Sequence, residues 1–447
     1  MIPPKLALLL CFIFCLIVYI KDSKQDPEIS PALWIPVLWM MRCASRSLTY
    51  WLYPDGYYGE SIGSPHDRIF LTVLMIAGLV VLSRRKVNWK EILANNYWIL
   101  ALYAYMLFSI AWADAIDISF KRWVRIAGDL LMILVVLTEA KPLTAISKLF
   151  RRCFILLIPL SIVLSKYFPY IGRGHAKHWG PDMWIGVATH KNTLGQLAVL
   201  AAMYFLWNIF QNRGKKNISL DLLYLLMSVY LLNGGGFSRS TTCILVLIIA
   251  IAFYLLMERL KLKTARIWSI FLGVFLIVFT LHFGSDVFFG KSIQDIITVA
   301  LGKDPTLTDR TYLWRDVITL GMQHPIFGFG FGGFWNPATQ QYLKEIYSWG
   351  PGQAHNGYIE IFLNLGLIGL ILFGFTIFSA FSGAIQQYFL NSEYGRIRLV
   401  LLLVALIHNY TESSFTRPTH LIWFIFLLAA VNVSNSPTLQ SFVSEKT

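Results

Sequence analysis

Residues 356–381 read NGYIEIFLNLGLIGLILFGFTIFSAF, and Glu360 is the only charged residue in this stretch. A helix needs about 17 to 25 predominantly apolar residues to cross the hydrocarbon core of a bilayer. The stretch therefore predicts a membrane-spanning helix. Similar apolar runs follow one another along most of the 447 residues, and we count twelve crossings. They centre on residues 5–20, 67–83, 96–113, 123–140, 153–168, 193–210, 220–236, 241–257, 267–283, 356–381, 397–412 and 419–433.

The composition also indicates an all-α polytopic membrane protein. Hydrophobic residues make up 56% of the chain, charged residues only 14%, and the mean hydropathy is +0.58. The net charge of +14 would suggest nucleic acid in a soluble domain, but the bases lie in short connectors between apolar runs. We therefore expect contact with membrane lipids and none with nucleic acid. The five cysteines lie mostly in or beside apolar runs and predict neither a disulfide framework nor a zinc site.

Lys and Arg are concentrated in alternate connectors, and the positive-inside bias predicts that these connectors face the cytoplasm. The basic connectors lie at 84–90, 141–152, 211–217, 258–266 and 396–398. Both chain termini are then expected on the cytoplasmic side as well. That assignment requires residues 29–52, which contain two prolines and three tryptophans, to lie in the membrane interface without crossing.

The predicted organisation has four parts. Residues 1–283 carry nine or ten transmembrane helices, 284–355 form a periplasmic cap loop, 356–433 carry the C-terminal transmembrane helices, and 434–447 form a cytoplasmic tail. The loop is too long for a passive connector and should contain short helices of its own. One such helix is predicted to start at Thr308 and to end at His324-Pro325. Its apolar positions follow the i, i+3, i+4, i+7 rule: Trp314, Val317, Ile318 and Gly321.

Two arginines on the predicted outer face are candidates for anion binding. Arg239, in GGGFSRSTT at 234–242, begins a crossing helix, and Arg310 lies in the first turn of the loop helix. Free N–H groups at a helix start favour an anion, and the guanidinium fork suits phosphate oxygens. The alternative is that both arginines only extend to the interface or pair with a nearby acid such as Asp309.

His355 stands at the outer entrance of the helix predicted over residues 356–381. A histidine there can be neutral near pH 7 and accept a proton from a hydroxyl, as a general base must. The alternative is an interfacial histidine without a chemical role. Glu360 lies five residues further on, off the face of the histidine, and is interpreted as structural.

A second polar cluster covers residues 172–182 and 189–193. His175, His178 and Asp182, with His190 nearby, give only a weak zinc signal, so no metal is expected. Donation from Lys191 and Asn192 to a phosphate or sugar is the preferred interpretation. The chain has no phosphate-binding loop of the Gly-x-x-x-x-Gly-Lys-Ser/Thr type and no Gly-x-Ser-x-Gly elbow. The glycine-rich run 328–333 is read as a tight turn, not a phosphate cradle.

Taken in order, these motifs resemble the O-antigen ligase superfamily. That superfamily includes lipopolysaccharide O-antigen ligases, O-antigen and exopolysaccharide polymerases and protein O-oligosaccharyltransferases. The resemblance covers roughly residues 180–370, and its THKNTLG form is most similar to the branch with exopolysaccharide production proteins. It rests on WIGVATHKNTLG at 184–195, Ser238-Arg239, Arg310 with Trp314, HPIFGFG at 324–330, His355-Asn356 and GLIG at 366–369.

The resemblance implies a twelve-helix enzyme of the cell inner membrane that works on the periplasmic side without metal or other cofactor. It would move a glycan from undecaprenyl diphosphate to an acceptor hydroxyl on lipid A-core or on a growing glycan. Arg239 and Arg310 match the family's diphosphate-binding arginines, His355 matches its essential histidine, and Glu412 its late acidic position. Further candidates for substrate binding are Lys191, Asn192 and Asn356.

Three functions are compatible with these sequence features. The leading one is an O-antigen ligase-like glycosyltransferase, and the first alternative is an O-antigen or exopolysaccharide polymerase of the same superfamily. The second alternative is a transporter or flippase for lipid-linked glycans. A transporter predicts inverted repeats and polar groups at the membrane midplane. The candidate residues gather on one face instead, which favours an enzyme.

Overall fold

The computed structural model describes residues 2–23, 28–53, 64–175, 182–212, 218–235, 240–260 and 308–433. These ranges are almost entirely helical, with one small antiparallel sheet in which Arg173 pairs with Trp184. The helices are α1 Pro4–Ser23, α2 Trp34–Ala44, α3 Leu48–Leu52, α4 Pro65–Arg84, α5 Trp89–Asn95, α6 Tyr97–Phe108, α7 Ile116–Leu137, α8 Pro142–Tyr167, α9 Pro169–Gly172, α10 Lys191–Gln211, α11 Ser219–Asn233, α12 Thr241–Leu260, α13 Thr308–Gly321, α14 Pro337–Ile346, α15 Gly357–Leu390, α16 Ser392–Thr411 and α17 Leu421–Ala430. The strands are β1 Arg173–His175 and β2 Asp182–Trp184, and two short 3₁₀ turns cover Pro31–Leu33 and Ser109–Trp112.

Eleven of the twelve predicted crossings fall on described residues, and each overlaps a helix. The remaining predicted crossing, 267–283, lies outside the described residues. Five of the described helices are long and apolar enough to cross a membrane: α1, α4, α10, α12 and α15. A sixth is added if α5 and the stretch from Tyr97 to Trp112, bent by 82°, form one span. The protein is therefore an all-α multi-pass membrane protein, while the count of twelve crossings stays a prediction.

One end of the helix bundle is held by a chain of ion pairs, and we call it the basic end. Arg85 pairs there with Glu139, and Lys148 lies 2.8 Å from Asp22. Arg151 bridges 2.7 Å to Asp221, and Arg396 lies 3.0 Å from Glu393. The basic connectors at 84–90, 141–152 and 396–398 thus contribute to the same end of the bundle. The opposite end carries His355 and is called the His355 end.

The N-terminus lies at the His355 end, so the prediction that both termini accompany the basic connectors is wrong for the N-terminus. Helix α1 runs antiparallel to α8, because Asp22 pairs with Lys148 while Cys15 donates to the Ile155 carbonyl at 3.2 Å. The start of α1 therefore points away from the basic end.

The chain returns through residues 30–46, which pass from one end of the bundle to the other. Ser30 is bonded to Glu139 at the basic end, and Arg46 donates 2.8 Å to the Ala188 carbonyl at the His355 end. Trp39 of α2 is fully buried, so this segment packs inside the bundle and does not lie in an interface. From the sequence alone, the prolines indicate that the segment does not form a crossing helix. Pro36 stands in the first turn of α2, however, where a helix tolerates proline.

Helix α15 is broken at Gly366, and the glycine-rich turn fits into the break. Gly366 has φ 63°, and a Cβ atom there would come within 2.3 Å of the Ile326 carbonyl oxygen. The Leu367 amide donates to the Pro325 carbonyl at 2.9 Å, and the Phe329 amide to the Leu363 carbonyl at 3.0 Å. Gly328, with φ 70°, takes a conformation that glycine adopts without strain. The run 328–333 is therefore a tight turn, as predicted.

The described part of the cap, 308–355, packs onto the first turns of α15. Helix α13 begins at Thr308, as predicted. Leu313 and Val317 of this helix are buried with Phe334, Leu343 and Leu363 in a small apolar cluster. The predicted apolar face is correct for Trp314, Val317 and Gly321, but Ile318 is 39% exposed because the buried stripe runs through Leu313 instead.

Candidate active site

His355 lies in the turn that leads into α15. Its φ is 52°, a left-handed conformation that is unusual for a residue with a side chain and marks a constrained position. The turn is fixed on both sides of the histidine. The Ala354 amide donates to Glu360 Oε1 at 2.6 Å, and the Asn356 amide donates to Ser413 Oγ at 3.1 Å. Glu360 has the structural role that the sequence predicted.

Glu412 follows the last residue of α16 and joins three separate parts of the chain. Its Oε2 lies 3.1 Å from His355 Nδ1, and its Oε1 lies 3.3 Å from an Arg310 guanidinium nitrogen. The same Oε1 accepts a hydrogen bond of 2.5 Å from the Asn192 side-chain amide. A base from the turn before α15, a cation from α13 and an amide donor from α10 therefore meet on one carboxylate.

The protonation state of Glu412 follows from these contacts. Burial would raise the pKa of Glu412, but the hydrogen bond with His355, the charge of Arg310 and the Asn192 donor outweigh it. Together they lower the pKa of Glu412 from 4.5 to about 2. The group is a carboxylate at neutral pH.

The turn after Glu412 is tightly bound to the bundle. Asn409 Oδ1 accepts from the backbone amides of Ser414 and Phe415, at 3.3 and 2.9 Å. Two further residues with left-handed backbones, Thr416 with φ 56° and Thr419 with φ 50°, lie in the same turn. Sparsely populated conformations of this kind persist where the surroundings over-determine them and concentrate at functional sites.

Arg310 stands in the first turn of α13 and reaches the end of α16. One guanidinium nitrogen donates 2.8 Å to the Thr411 carbonyl, and another contacts Glu412. The side chain is 26% exposed, so part of the guanidinium remains open to an anion. Arg310 pairs with an acid, as the simpler interpretation expected, but that acid is Glu412 from another helix.

The geometry favours one tautomer of His355. A carboxylate next to Nδ1 accepts a hydrogen bond from it, so in the neutral imidazole Nδ1 carries the proton and Nε2 has none. A bare Nε2 can accept a proton from a hydroxyl. The pair has the arrangement in which a buried carboxylate orients a catalytic imidazole.

The other candidate residues either lie at the site or cap the helices that lead to it. Lys191 and Asn192 open α10, as predicted, and His190 caps that helix by accepting from the Asn192 amide at 3.3 Å. Asn356 is a helix cap, because its Oδ1 accepts from the amides of Tyr358 and Ile359 at 3.0 and 3.2 Å. Its Oδ1 is committed to the backbone, and its predicted role in substrate binding stays a prediction.

Two candidates lie outside the described residues, namely Arg239 and His178. The zinc signal therefore stays untested. Of its other members, Asp182 lies 3.5 Å from Arg173 across the small sheet. No group of three or more possible metal ligands occurs in the part of the chain that the structure describes.

Sequence reasoning missed the residues that surround His355 on its other side. The Gln353 amide nitrogen lies 3.4 Å from His355 Nδ1, and Arg417 donates to Gln353 Oε1 at 3.0 Å. The ring of Trp349 lies 5.9 Å from the imidazole. Of these residues, only Arg417 could have been singled out from the sequence, since an isolated arginine on the face opposite the basic connectors departs from the positive-inside bias.

Residues 222–374 match the family model described as O-Antigen ligase. This range contains Arg239, Arg310 and His355. The resemblance to the O-antigen ligase superfamily is confirmed. A relative of this chain is the exopolysaccharide production protein ExoQ of Rhizobium meliloti (strain 1021), which is 26% identical over 367 residues, covering 77% of this chain and 79% of the relative. The two similarities support a membrane enzyme of the O-antigen ligase and polymerase kind, with lipid-linked glycans as its class of substrate.

Proposed function

We propose that this protein transfers a glycan from an undecaprenyl diphosphate carrier to an acceptor hydroxyl on the periplasmic side of the inner membrane. The observation that carries the proposal is the meeting of His355, Arg310 and Asn192 on Glu412, within 3.3 Å in each case. Residues that the sequence separates by up to 220 positions form one site with a base, an orienting carboxylate and a cation for an anionic leaving group.

In the proposed reaction, His355 Nε2 takes the proton of the acceptor hydroxyl as its oxygen attacks the anomeric carbon of the donor sugar. The bond between that carbon and the diphosphate oxygen breaks, and the carrier leaves as a diphosphate. A single displacement inverts the anomeric centre. Arg310, together with Arg239 by family resemblance, stabilises the charge that develops on the diphosphate. The transfer needs no nucleotide, because the carrier diphosphate is itself a good leaving group.

Glu412 has two effects in this scheme. It keeps His355 in the tautomer that can accept a proton, and it stabilises the imidazolium that forms during transfer. It also leaves Arg310 only partly neutralised, because the 3.3 Å contact is a weak one and the guanidinium has further N–H groups.

The acceptor defines the finer function. We place an O-antigen ligase-like reaction first, with lipid A-core as acceptor. A polymerase of the same superfamily, with a growing glycan as acceptor, is favoured by one specific observation, the name of the relative in exopolysaccharide production. The periplasmic placement is supported by the separation between the His355 end and the basic end, because basic connectors favour the cytoplasmic side.

The test is transfer by the purified protein in lipid nanodiscs. A labelled glycan on undecaprenyl diphosphate is supplied with lipid A-core or with a second lipid-linked glycan. Product on the first acceptor identifies a ligase, and chain extension identifies a polymerase. His355→Gln should abolish either product, with His324→Gln as the matched control, since His324 lies on the cap against Phe329. Full activity of His355→Gln, or vectorial movement of intact donor without transfer, would refute the proposal.

A further inference from the structure

Helix α13 donates two side-chain hydrogen bonds to main-chain carbonyls at the candidate site. Arg310 donates 2.8 Å to the Thr411 carbonyl, and Trp314 Nε1 donates 2.7 Å to the Ala354 carbonyl. The two donors are four residues apart, so they lie on the same face of the helix. We call these two hydrogen bonds the α13 clamp. The proposed reaction uses Arg310 but gives no role to Trp314.

The two carbonyls of the α13 clamp stand next to the proposed base and its orienting carboxylate. Thr411 directly precedes Glu412, and Ala354 directly precedes His355. The Glu412 carboxylate and His355 Nδ1 are 3.1 Å apart. One face of α13 is therefore bonded to the chain on both sides of this contact, and a movement of the helix would reach both partners.

Trp314 is enclosed by the parts of the chain that it connects. Its side chain is buried, and its ring packs edge to face on Tyr410 near the end of α16, with ring centroids 6.0 Å apart. Ala354, whose carbonyl accepts from the indole, is fully buried too. A buried carbonyl that loses its hydrogen-bond partner carries a free-energy cost. The bond between Trp314 and Ala354 is therefore a persistent link from α13 to the turn before α15.

The turn at His355 depends on such links, because its backbone is in a sparsely populated conformation with φ 52°. Glu360 of α15 and Ser413 of the turn after α16 bind the backbone amides on the two sides of the histidine, at 2.6 and 3.1 Å. The bond from Trp314 adds a link to the helix that carries Arg310. It thereby fixes where the imidazole stands relative to the guanidinium.

We propose that Trp314 is a positioning residue, which sets the place of His355 relative to both Glu412 and the diphosphate-binding cation. This role rests on the proposed function, which assigns the base and the cation. In a single displacement the acceptor oxygen attacks the anomeric carbon from the side opposite the diphosphate, so the base and the cation act at two ends of one reacting line. A helix that carries the cation and holds the base keeps the spacing of the two groups constant. A misplacement of about 1 Å can cost on the order of 10²-fold in rate.

The first experiment measures single-turnover transfer by full-length Trp314→Phe in nanodiscs, a variant that keeps an aromatic ring and removes the indole N–H. The rate should fall about 10- to 100-fold. The donor Kd should stay unchanged, because Arg310 keeps its bond to the Thr411 carbonyl. The matched control is Tyr312→Phe, which removes a hydroxyl from a 54% exposed side chain on the same helix and should leave the rate unchanged. A wild-type rate in Trp314→Phe, or an equal loss in Tyr312→Phe, would overturn the proposal.

A double-mutant cycle with Glu412→Gln separates positioning from a loss of fold. Rates are expressed per donor-binding site, so that unfolded protein does not contribute. If Trp314 acts through the contact between His355 and Glu412, adding Trp314→Phe to Glu412→Gln should lower the rate by less than about threefold. The same loss in both backgrounds would show a role that is independent of that contact and would contradict the proposal.

A measurement without donor keeps this test separate from the proposed function. Nitrogen NMR shifts of isotope-labelled histidine report the tautomer, and the signals that disappear in His355→Gln identify His355. We expect the neutral imidazole to carry its proton on Nδ1 in the wild type and to be a mixture of tautomers in Trp314→Phe, because the contact with Glu412 is no longer held. An unchanged tautomer in Trp314→Phe would contradict the proposal. A mixture of tautomers, with no transfer by the wild type, would support the positioning of His355 by Trp314 and refute the proposed function.

A second variant covers the case in which Trp314→Phe does not fold. Benzothienylalanine at position 314 has a sulfur atom in place of the indole N–H and nearly the same shape as tryptophan. It should give the same loss of rate and the same mixture of tautomers. Wild-type behaviour of the benzothienylalanine protein would show that the hydrogen bond to Ala354 has no positioning role.

Discussion

Replacing Glu412 by Gln should nearly abolish transfer while leaving the donor bound. The carboxylate accepts from His355 Nδ1 at 3.1 Å, whereas a glutamine amide can donate to that nitrogen. Donation to Nδ1 favours the tautomer with its proton on Nε2, which cannot accept a proton from the acceptor. General base catalysis contributes about 10²- to 10⁴-fold, so we expect kcat to fall by that range.

The same substitution should also lower stability, and the size follows from the pKa. The difference between the ordinary value of 4.5 and about 2 corresponds to roughly 3 kcal/mol in favour of the ionised group. Because the pKa is lowered in the folded protein, this stabilisation is fully present above about pH 4.5 and is lost as the pH falls toward 2. At neutral pH the variant should therefore unfold at a lower temperature, and the difference from wild type should shrink below pH 4.5.

The assay separates chemistry from binding. Single-turnover transfer of a labelled donor gives the chemical rate, and equilibrium binding of the same donor gives its Kd. Donor Kd should change little, since Arg310 keeps its bond to the Thr411 carbonyl. Glu412→Asp should recover part of the rate, and Asn192→Ala should have the smaller effect of removing one donor to the carboxylate. A Glu412→Gln rate above about a tenth of wild type would refute the orienting role.

Three further results are expected. Arg310→Ala should weaken donor binding about 10- to 100-fold, and Arg310→Lys should restore little of it. Arg315→Ala, on the same helix but 73% exposed, should leave donor binding unchanged. Equal effects of the two alanine variants would remove Arg310 from the site. Gly366→Ala should lower the unfolding temperature, because φ is 63° at a place with no room for a Cβ atom, and an unchanged melting curve would contradict the packing of the glycine-rich turn. A cysteine at Pro3 should be labelled from the side opposite a cysteine at Lys86, against a background of five buried native cysteines, and labelling from one side would refute the placement of α1.

The sequence predicts helices well here, since long apolar runs have few alternatives in a membrane. It fails at residues 29–52, which were interpreted as an interfacial segment, whereas Pro36 and Trp39 are buried in the bundle. An interfacial segment and a buried segment can have the same local pattern of prolines and tryptophans, and they differ in what they contact. Here Asp129, ninety positions away, accepts a hydrogen bond from Trp39.

The residues of the candidate site could be predicted one by one, but their arrangement could not. Arg310 and His355 stood out as charged or titratable groups at helix starts, and Glu412 was found only through the family resemblance. Nothing local to any of them reveals that they meet, because each contact joins separate helices. Asn356 shows what position alone leaves out: it stands beside His355, and its spacing before Tyr358 and Ile359 is also that of an N-cap.

The dependence of the site on Glu412 also has a consequence for the synthesis of the protein. His355 leaves the ribosome 57 residues before Glu412, and α16 lies between them. During that interval the nascent chain carries the histidine without the carboxylate that orients it. A chain cut off before residue 412 would therefore insert most of its helices and still lack a competent base. Under the proposed function, activity would appear only when the chain has been made past Glu412, so unfinished chains would not consume lipid-linked glycan.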